Sequence, residues 1–277
     1  MMRMRGSASC GLVEVGPILL FSIQTNLLYS AASPCDLLLQ IEAVEDDTQA
    51  CSETDLTILP NGDMRVIEGE EHLGHRRWIA VEDKFECSYF TRVRVERPQG
   101  SPKAYAPTPL PLIPSDVTKF LMPSRYCHPE AFLDFVPGQF GQVSGGSLIA
   151  AISDWIKGHF SYDNGASNAS TTATESFANR AGVCRDYAHV LIAMARAVGI
   201  PARFVSCYAV DVKPQDFHAV AEVYLAGQWH LVDPTGMAQA PEIIRIGVGR
   251  DAADVSFMTS YGRMELINQS IQVLRLE

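Results

Sequence analysis

The stretch NRAGVCRDYAHVLIAMARAVGIPARFVS, residues 179–206, contains a strong helical pattern. Its apolar side chains recur at steps of three and four residues, which predicts one buried face of a helix. Gly199 and then Pro201 end the helix in the order that helices favour. Because Gly182 lets the chain turn sharply into this helix, Cys184 should lie in its first turn.

The first turn of a helix suits a nucleophilic cysteine. Its backbone N–H groups have no carbonyl partners within the helix, and the helix dipole favours negative charge there. Since the thiolate is the reactive form of cysteine, this position should activate Cys184. The same N–H groups can bind an oxyanion that forms beside the sulfur. Cysteine is also often a buried core residue, so the position alone does not decide between the two interpretations.

Two segments further along the chain are predicted to form a β-hairpin. Residues 216–225 and 228–235 alternate and are rich in β-branched and aromatic side chains, which is typical of strands. The first segment contains His218 and the second contains Asp233. Residues 226–227, Ala-Gly, form the predicted turn between them.

The length of that turn decides whether the histidine and the aspartate meet. With an even turn, Leu225 faces Gln228 and Asp233 faces Val220, which places His218 two residues along on the same face of the hairpin. Such diagonal neighbours have Cα atoms roughly 7–8 Å apart, within reach of each other's side chains. An odd turn would send the two side chains to opposite faces.

Four motifs, taken together and in this order, resemble the transglutaminase-like superfamily of bacterial cysteine peptidases. They are GVCRDYA at 182–188, GIPAR at 199–203, the strand that contains His218, and WHLVDPT at 229–235. The resemblance covers residues 148–235. It implies that Cys184 is the nucleophile, that His218 is the general base and acid, and that Asp233 orients the imidazole. It also implies a papain-like α+β core with the cysteine on a helix and the other two residues on a sheet, and it implies no cofactor.

The N-terminal half is predicted to be a separate β domain. Strand patterns at hairpin spacing predict an antiparallel β-sandwich; they cover 18–29, 35–43, 54–59, 63–67, 76–83 and 84–97. Residues 98–114 are rich in proline and predict a stiff linker. The predicted domains are therefore 1–104, with 1–15 loosely ordered, and a catalytic domain over 105–277. The first domain could form one wall of the active-site cleft or mediate assembly. In the second, apolar and polar residues alternate over 264–277, enough for one or two final strands.

A polar loop over 163–171 precedes the predicted nucleophile. Loops in this position commonly border a substrate cleft, so Tyr162 and Asn164 are candidates for substrate contact. Solvation of an ordinary surface loop is the alternative for Asn164. Thr172 and Glu175 have the spacing of a capping box, which predicts a short helix between this loop and Gly182.

Composition and charge exclude several classes of function. The net charge of −10 over 277 residues argues against sequence-independent binding of nucleic acid, which needs clustered Lys and Arg. Seven scattered cysteines without a CxxC pair do not suggest a disulfide framework or a zinc site, so we expect reduced thiols in a cytoplasmic protein. The apolar run at 16–21 is interrupted on both sides, which favours a strand over a signal peptide. No segment approaches the ~20 apolar residues of a membrane span. The sequence leaves open whether the protein forms a homo-oligomer.

The functional hypothesis is cysteine-dependent acyl transfer at an amide bond of a peptide or protein, through a thioester on Cys184. Water would release the acyl group in a peptidase or amidase, whereas a lysine amine would accept it in a transglutaminase. Hydrolysis is the preferred outcome. A binding or assembly protein that kept the fold without turnover is one alternative, and a metal site formed by Cys184, His218 and Asp233 is another.

Overall fold

The computed structural model describes residues 16–62, 64–98 and 101–277, so the expected loose order of residues 1–15 lies outside the described residues. The helices are α1 (Ser115–Thr118), α2 (Phe135–Phe140), α3 (Gly145–His159), α4 (Ala173–Asn179) and α5 (Cys184–Ala197). The strands are β1 (Ile18–Ala31), β2 (Cys35–Leu39), β3 (Gln49–Leu59), β4 (Arg65–Glu68), β5 (His75–Val81), β6 (Lys84–Glu96), β7 (Ser161–Tyr162), β8 (Ala181–Gly182), β9 (Ala202–Ala209), β10 (His218–Leu225), β11 (Gln228–Val232), β12 (Ile243–Gly249), β13 (Met258–Ser260) and β14 (Met264–Leu276). Helices together with antiparallel sheets confirm the predicted α+β class.

Two four-stranded sheets are built mainly from the N-terminal half. Sheet I has the strand order β14-β1-β6-β3, and sheet II has the order β13-β2-β5-β4. Alternation along β1 buries Leu19, Phe21 and Ile23, whereas Leu20 between them is exposed. The buried faces of both sheets contribute to one hydrophobic cluster, which also includes Tyr208 of β9.

Sheet III, with the strand order β11-β10-β9-β12, carries the helix that begins at Cys184. Helix α5 packs against β9 and β10 on one side and against α3 and α4 on the other. Its side chains from Tyr187 to Ala195 are buried, and they share a cluster with Ala219 and Ala221 of β10. The start of α5 is therefore fixed relative to the start of β10.

The end of the chain returns to the N-terminal sheets. Strand β14 pairs with β1 along almost its whole length, and β13 pairs with β2. The division into domains over 1–104 and 105–277 stays a prediction, and these last two strands pair with strands of the first range. Alternation along 264–277 predicts a strand with two faces, but it carries no information about the strand to which it pairs.

A buried polar network also joins the two halves. Arg245 of β12 donates one hydrogen bond to Glu222 of β10 at 2.9 Å and one to Asp46 at 2.7 Å. Arg203 of β9 donates to Glu222 at 2.7 Å, and Arg97, after β6, donates to the Ile243 carbonyl at 2.6 Å. The guanidinium groups of Arg245 and Arg203 thus both donate hydrogen bonds to the buried Glu222 carboxylate.

We expect Arg245→Ala to lower the free energy of unfolding by about 3–5 kcal/mol, because the substitution leaves the Glu222 and Asp46 carboxylates without this cation in a mostly buried setting. Urea unfolding checks the prediction. Arg263→Ala, which removes an exposed ion pair with Glu265, is the matched control and should change stability little. Equal losses in the two variants would contradict the role given to the network.

Candidate active site

Cys184 is the first residue of α5, as the sequence predicts. The carboxylate of Asp186 accepts a hydrogen bond from the Val183 backbone N–H at 2.8 Å and so holds the chain at the entrance to the helix. Glycine is required at position 182, since a Cβ there would lie 2.7 Å from the Cβ and Oδ2 atoms of Asp186. The GVCRD sequence therefore builds a close-packed turn that presents the thiol at the open end of the helix.

The hairpin that carries His218 and Asp233 has the predicted register. Leu225 pairs with Gln228 across the turn at residues 226–227, and the pairing continues to Ala221 opposite Val232. Both turn residues have positive φ, 49° at position 226 and 81° at 227, as a two-residue hairpin turn requires. Asp233 follows directly after the last paired residue, which places it beside the start of β10.

His218 and Asp233 form a buried pair. The distance from Nε2 of His218 to Oδ2 of Asp233 is 3.0 Å, and both side chains are almost completely inaccessible to solvent. The backbone N–H and hydroxyl of Thr235 donate to the Asp233 carboxylate at 2.9 and 2.7 Å, and the Ala238 N–H donates at 2.8 Å. Burial raises the pKa of Asp233, but the hydrogen bond and charge of His218, followed by the donors of Thr235 and Ala238, outweigh burial and hold the pKa below its ordinary value.

The thiol of Cys184 is the second group that acts on the His218 ring. Burial lowers the pKa of His218, but the hydrogen bond and charge of Asp233 and the neighbouring Cys184 thiol outweigh burial and raise the pKa to about 10. Nδ1, the ring nitrogen that does not bind Asp233, is buried and has no hydrogen-bond partner among the described residues. Cys184 and His218 both line a cleft of about 540 Å³. An imidazole that is hydrogen-bonded to a carboxylate and close to a thiol is the set of groups that nucleophilic catalysis by cysteine uses.

The two candidate substrate contacts, Tyr162 and Asn164, line the same cleft as Cys184. Tyr162 lies in β7 and pairs in parallel with Gly182 of β8, so a backbone contact fixes it beside the nucleophile. Burial, followed by the charge of Cys184, raises the pKa of Tyr162, whereas a hydrogen bond with the Cys184 backbone lowers it. Tyr162 thus lies beside the first turn of α5, close to Cys184 in the cleft.

Two residues of the site were not predicted from the sequence. Thr235 and Ala238 hold the Asp233 carboxylate, and the Asp-Pro-Thr sequence that begins at 233 is a turn signal that could have indicated Thr235. Cys207 lies opposite His218 in the β9–β10 pair, and its Sγ donates to the His218 carbonyl at 3.5 Å. Burial raises the pKa of Cys207 well above its ordinary value, so this thiol is a packing residue next to the site.

Comparison with known proteins points to the same part of the chain. Residues 141–234 match the sequence profile of the transglutaminase-like superfamily. This matched range, about a third of the chain, is therefore similar to a transglutaminase-like core. The crystal structure of a candidate cysteine protease from Cytophaga hutchinsonii superposes on the chain with a TM-score of 0.90 and 28% identity, over 95% of this chain and 92% of that one. The similarity therefore extends beyond the transglutaminase-like core to the N-terminal sheets.

Mycobacterial relatives match a smaller part of the chain. An uncharacterized protein of Mycobacterium leprae is 32% identical over 117 residues, which are 39% of this chain and 42% of that protein. An uncharacterized protein of Mycobacterium tuberculosis is 37% identical over 123 residues, 39% of each chain. This chain thus spans about two fifths of the length of these relatives.

In the part of the chain that the structure describes, no cluster of side chains supports the alternative of a metal site. There, no group of three or more His, Cys, Asp and Glu side chains is arranged to hold an ion. His218 forms a hydrogen bond with Asp233, and Cys184 and His218 line the same cleft. Across residues 16–62, 64–98 and 101–277, no helix is both long and apolar enough to cross a membrane.

We expect Asp233→Asn to lower the pKa of His218 from about 10, because the substitution replaces a charged acceptor that favours the imidazolium with a neutral one. The raised pKa of the wild type stabilises the fold fully below about pH 6.5, and this stabilisation is lost as the pH rises through about 10. NMR titration of the histidine ring measures the shift. Asp163→Asn, in the exposed loop, is the control, and an unchanged His218 pKa in Asp233→Asn would contradict the coupling.

Proposed function

We propose that the protein cleaves amide bonds of peptides or proteins by acyl transfer through a thioester on Cys184, with His218 as general acid and base and Asp233 as the residue that orients the imidazole. The observation that carries the proposal is the pair of groups around the His218 ring. Its Nε2 forms a hydrogen bond with Asp233, and the neighbouring Cys184 also raises its pKa. A histidine that served only packing would not need both a buried carboxylate partner and a thiol beside it in a cleft. The similarity to a candidate cysteine protease over almost the whole chain supports the same class of reaction.

The proposed reaction begins with attack of the Cys184 thiolate on the amide carbonyl carbon. His218 gives its proton to the departing amine nitrogen, and the C–N bond breaks to leave a thioester. His218, now neutral, takes a proton from water, and the resulting hydroxide equivalent attacks the thioester. Collapse of this second intermediate releases the carboxylic acid and restores the thiolate–imidazolium pair. Asp233 stays ionised and holds the ring in the orientation that both transfers need.

The oxyanion would form beside the Cys184 backbone N–H at the start of α5, and the Tyr162 hydroxyl is the second donor in this proposal. The β7–β8 pairing fixes Tyr162 next to the nucleophile, and its pKa responds to both the backbone and the thiol of Cys184. A donor that is already in place stabilises charge without reorganisation during the reaction.

Tyr162→Phe should lower kcat by about 10²–10³-fold, because it removes one oxyanion donor, and it should change KM little. The rate at which iodoacetamide alkylates Cys184 should stay within twofold of wild type, since alkylation forms no oxyanion. Steady-state kinetics and alkylation kinetics on the same variants give the two readouts. A variant that keeps full kcat would remove Tyr162 from the mechanism.

Hydrolysis and transamidation differ only in the group that resolves the thioester. We expect the wild type to cleave peptide-library substrates and not to attach a fluorescent primary amine to a glutamine donor, whereas Cys184→Ala should do neither. Cys51→Ala is the matched control, since Cys51 is also half-buried but burial raises its pKa to about 11. Incorporation of the amine by the wild type would identify a transamidase. Cleavage that survives in Cys184→Ala would overturn the proposed nucleophile.

A further inference from the structure

The cleft beside Cys184 has an apolar wall that the proposed chemistry does not use. This apolar wall consists of Tyr29, Phe217, Phe257, Met258 and Leu266. We propose that it is the subsite for a large apolar side chain, aromatic or branched aliphatic, on the acyl side of the substrate. The inference rests on the proposed function and adds a substrate class to it.

The centre of the apolar wall is fixed next to the general base. The rings of Phe217 and Phe257 stack with centroids 4.4 Å apart and an interplanar angle of 12°. Phe217 directly precedes His218, and the Phe257 carbonyl accepts a hydrogen bond from the Gln40 N–H at 2.8 Å. The paired rings are therefore tied both to the start of β10 and to the segment after β2. A side chain bound against them would lie close to the reacting carbonyl.

The outer part of the apolar wall is ordered by strand pairing. Leu266 of β14 is the partner of Tyr29 of β1 across sheet I. The Tyr29 hydroxyl donates to Gln269 at 3.3 Å, and the Gln269 side-chain amide donates to Asp216 at 2.7 Å. These bonds fix the polar end of the tyrosine, so that its ring forms part of the cleft surface.

The chemistry of this surface favours an apolar ligand over a charged one. Leu266 is 56% exposed although it is a large aliphatic residue, and it lies in a concave region continuous with the nucleophile. A cleft of about 540 Å³ has room for a peptide backbone with one large side chain. Three charged side chains line the cleft: Lys213 and Asp216 have opposite charges, and Arg185 donates hydrogen bonds to Ser167 and to the Asn168 carbonyl in the neighbouring loop. Burial of apolar area against the apolar wall therefore favours an apolar side chain there.

The test compares two kinds of thiol-directed reagent on the intact chain. Peptidyl vinyl sulfones with Phe, Ala or Gln at the first or second acyl-side residue probe the subsite, whereas iodoacetamide probes the thiol alone. At one of these positions the Phe reagent should inactivate the wild type at least tenfold faster than the Ala reagent, as expected for the loss of several carbons in an apolar pocket. Leu266→Ser should reduce this ratio at least threefold. Leu274→Ser, at an exposed leucine on the same strand outside the cleft (47% exposed, against 56% for Leu266), should leave the ratio unchanged.

The outcomes separate the subsite from the reaction. Equal rates for the Phe, Ala and Gln reagents, or the same loss of preference in Leu266→Ser and Leu274→Ser, would overturn the subsite while alkylation of Cys184 by iodoacetamide leaves the proposed function standing. Failure of iodoacetamide to label Cys184 while other cysteines react would overturn both. Unfolding midpoints of the two leucine variants verify that each is folded, as expected for exposed positions.

Discussion

The bond between His218 and Asp233 is the interaction on which the rest of the site depends. It forms because a two-residue turn sets the register of β10 and β11, so that the first residue of one strand and the residue after the other meet on the same side. One residue more in the turn would move every following side chain to the opposite face. The aspartate is held in turn by Thr235 and Ala238, so the orientation of the imidazole is set by backbone geometry and not by the pair alone.

The opposite side of the site depends on packing. Helix α5 is buried along its length between sheet III and the other helices. At its N-terminus the Asp186 carboxylate accepts a hydrogen bond from the Val183 N–H and packs against Gly182. These constraints place the Cys184 thiol beside backbone N–H groups that have no partner within the helix. They also place it near the His218 imidazole. The N-terminal sheets contribute too, because Tyr29 of β1 lines the cleft with Cys184 and because β14 completes sheet I. Residues from both halves of the described chain therefore line one cleft.

Local patterns in the sequence predicted the parts of this structure that local forces decide. The apolar spacing after Cys184 predicted α5, the Thr172 and Glu175 pair predicted the capping box before α4, and the Ala-Gly turn predicted the register of the hairpin. The pairing of β14 with β1 was not predicted, because strands so far apart in sequence carry no mutual signal in their alternation. The hydrogen bonds around Asp233 and the stacking of Phe217 on Phe257 were also not predicted, since they depend on how distant segments pack. The assignment of Cys184, His218 and Asp233 as a catalytic set came from the order of motifs, and their function stays a prediction.

The most direct measurement of the central claim is the mass of the covalent intermediate. The protein is mixed with an activated ester of an apolar N-acyl amino acid, quenched in acid within the first turnover, digested and analysed by mass spectrometry. The account predicts one acyl group on the peptide that contains Cys184, with its formation greatly slowed in His218→Ala. An acyl group on another cysteine, or turnover of the ester without any acylated peptide, would contradict a thioester mechanism at this site.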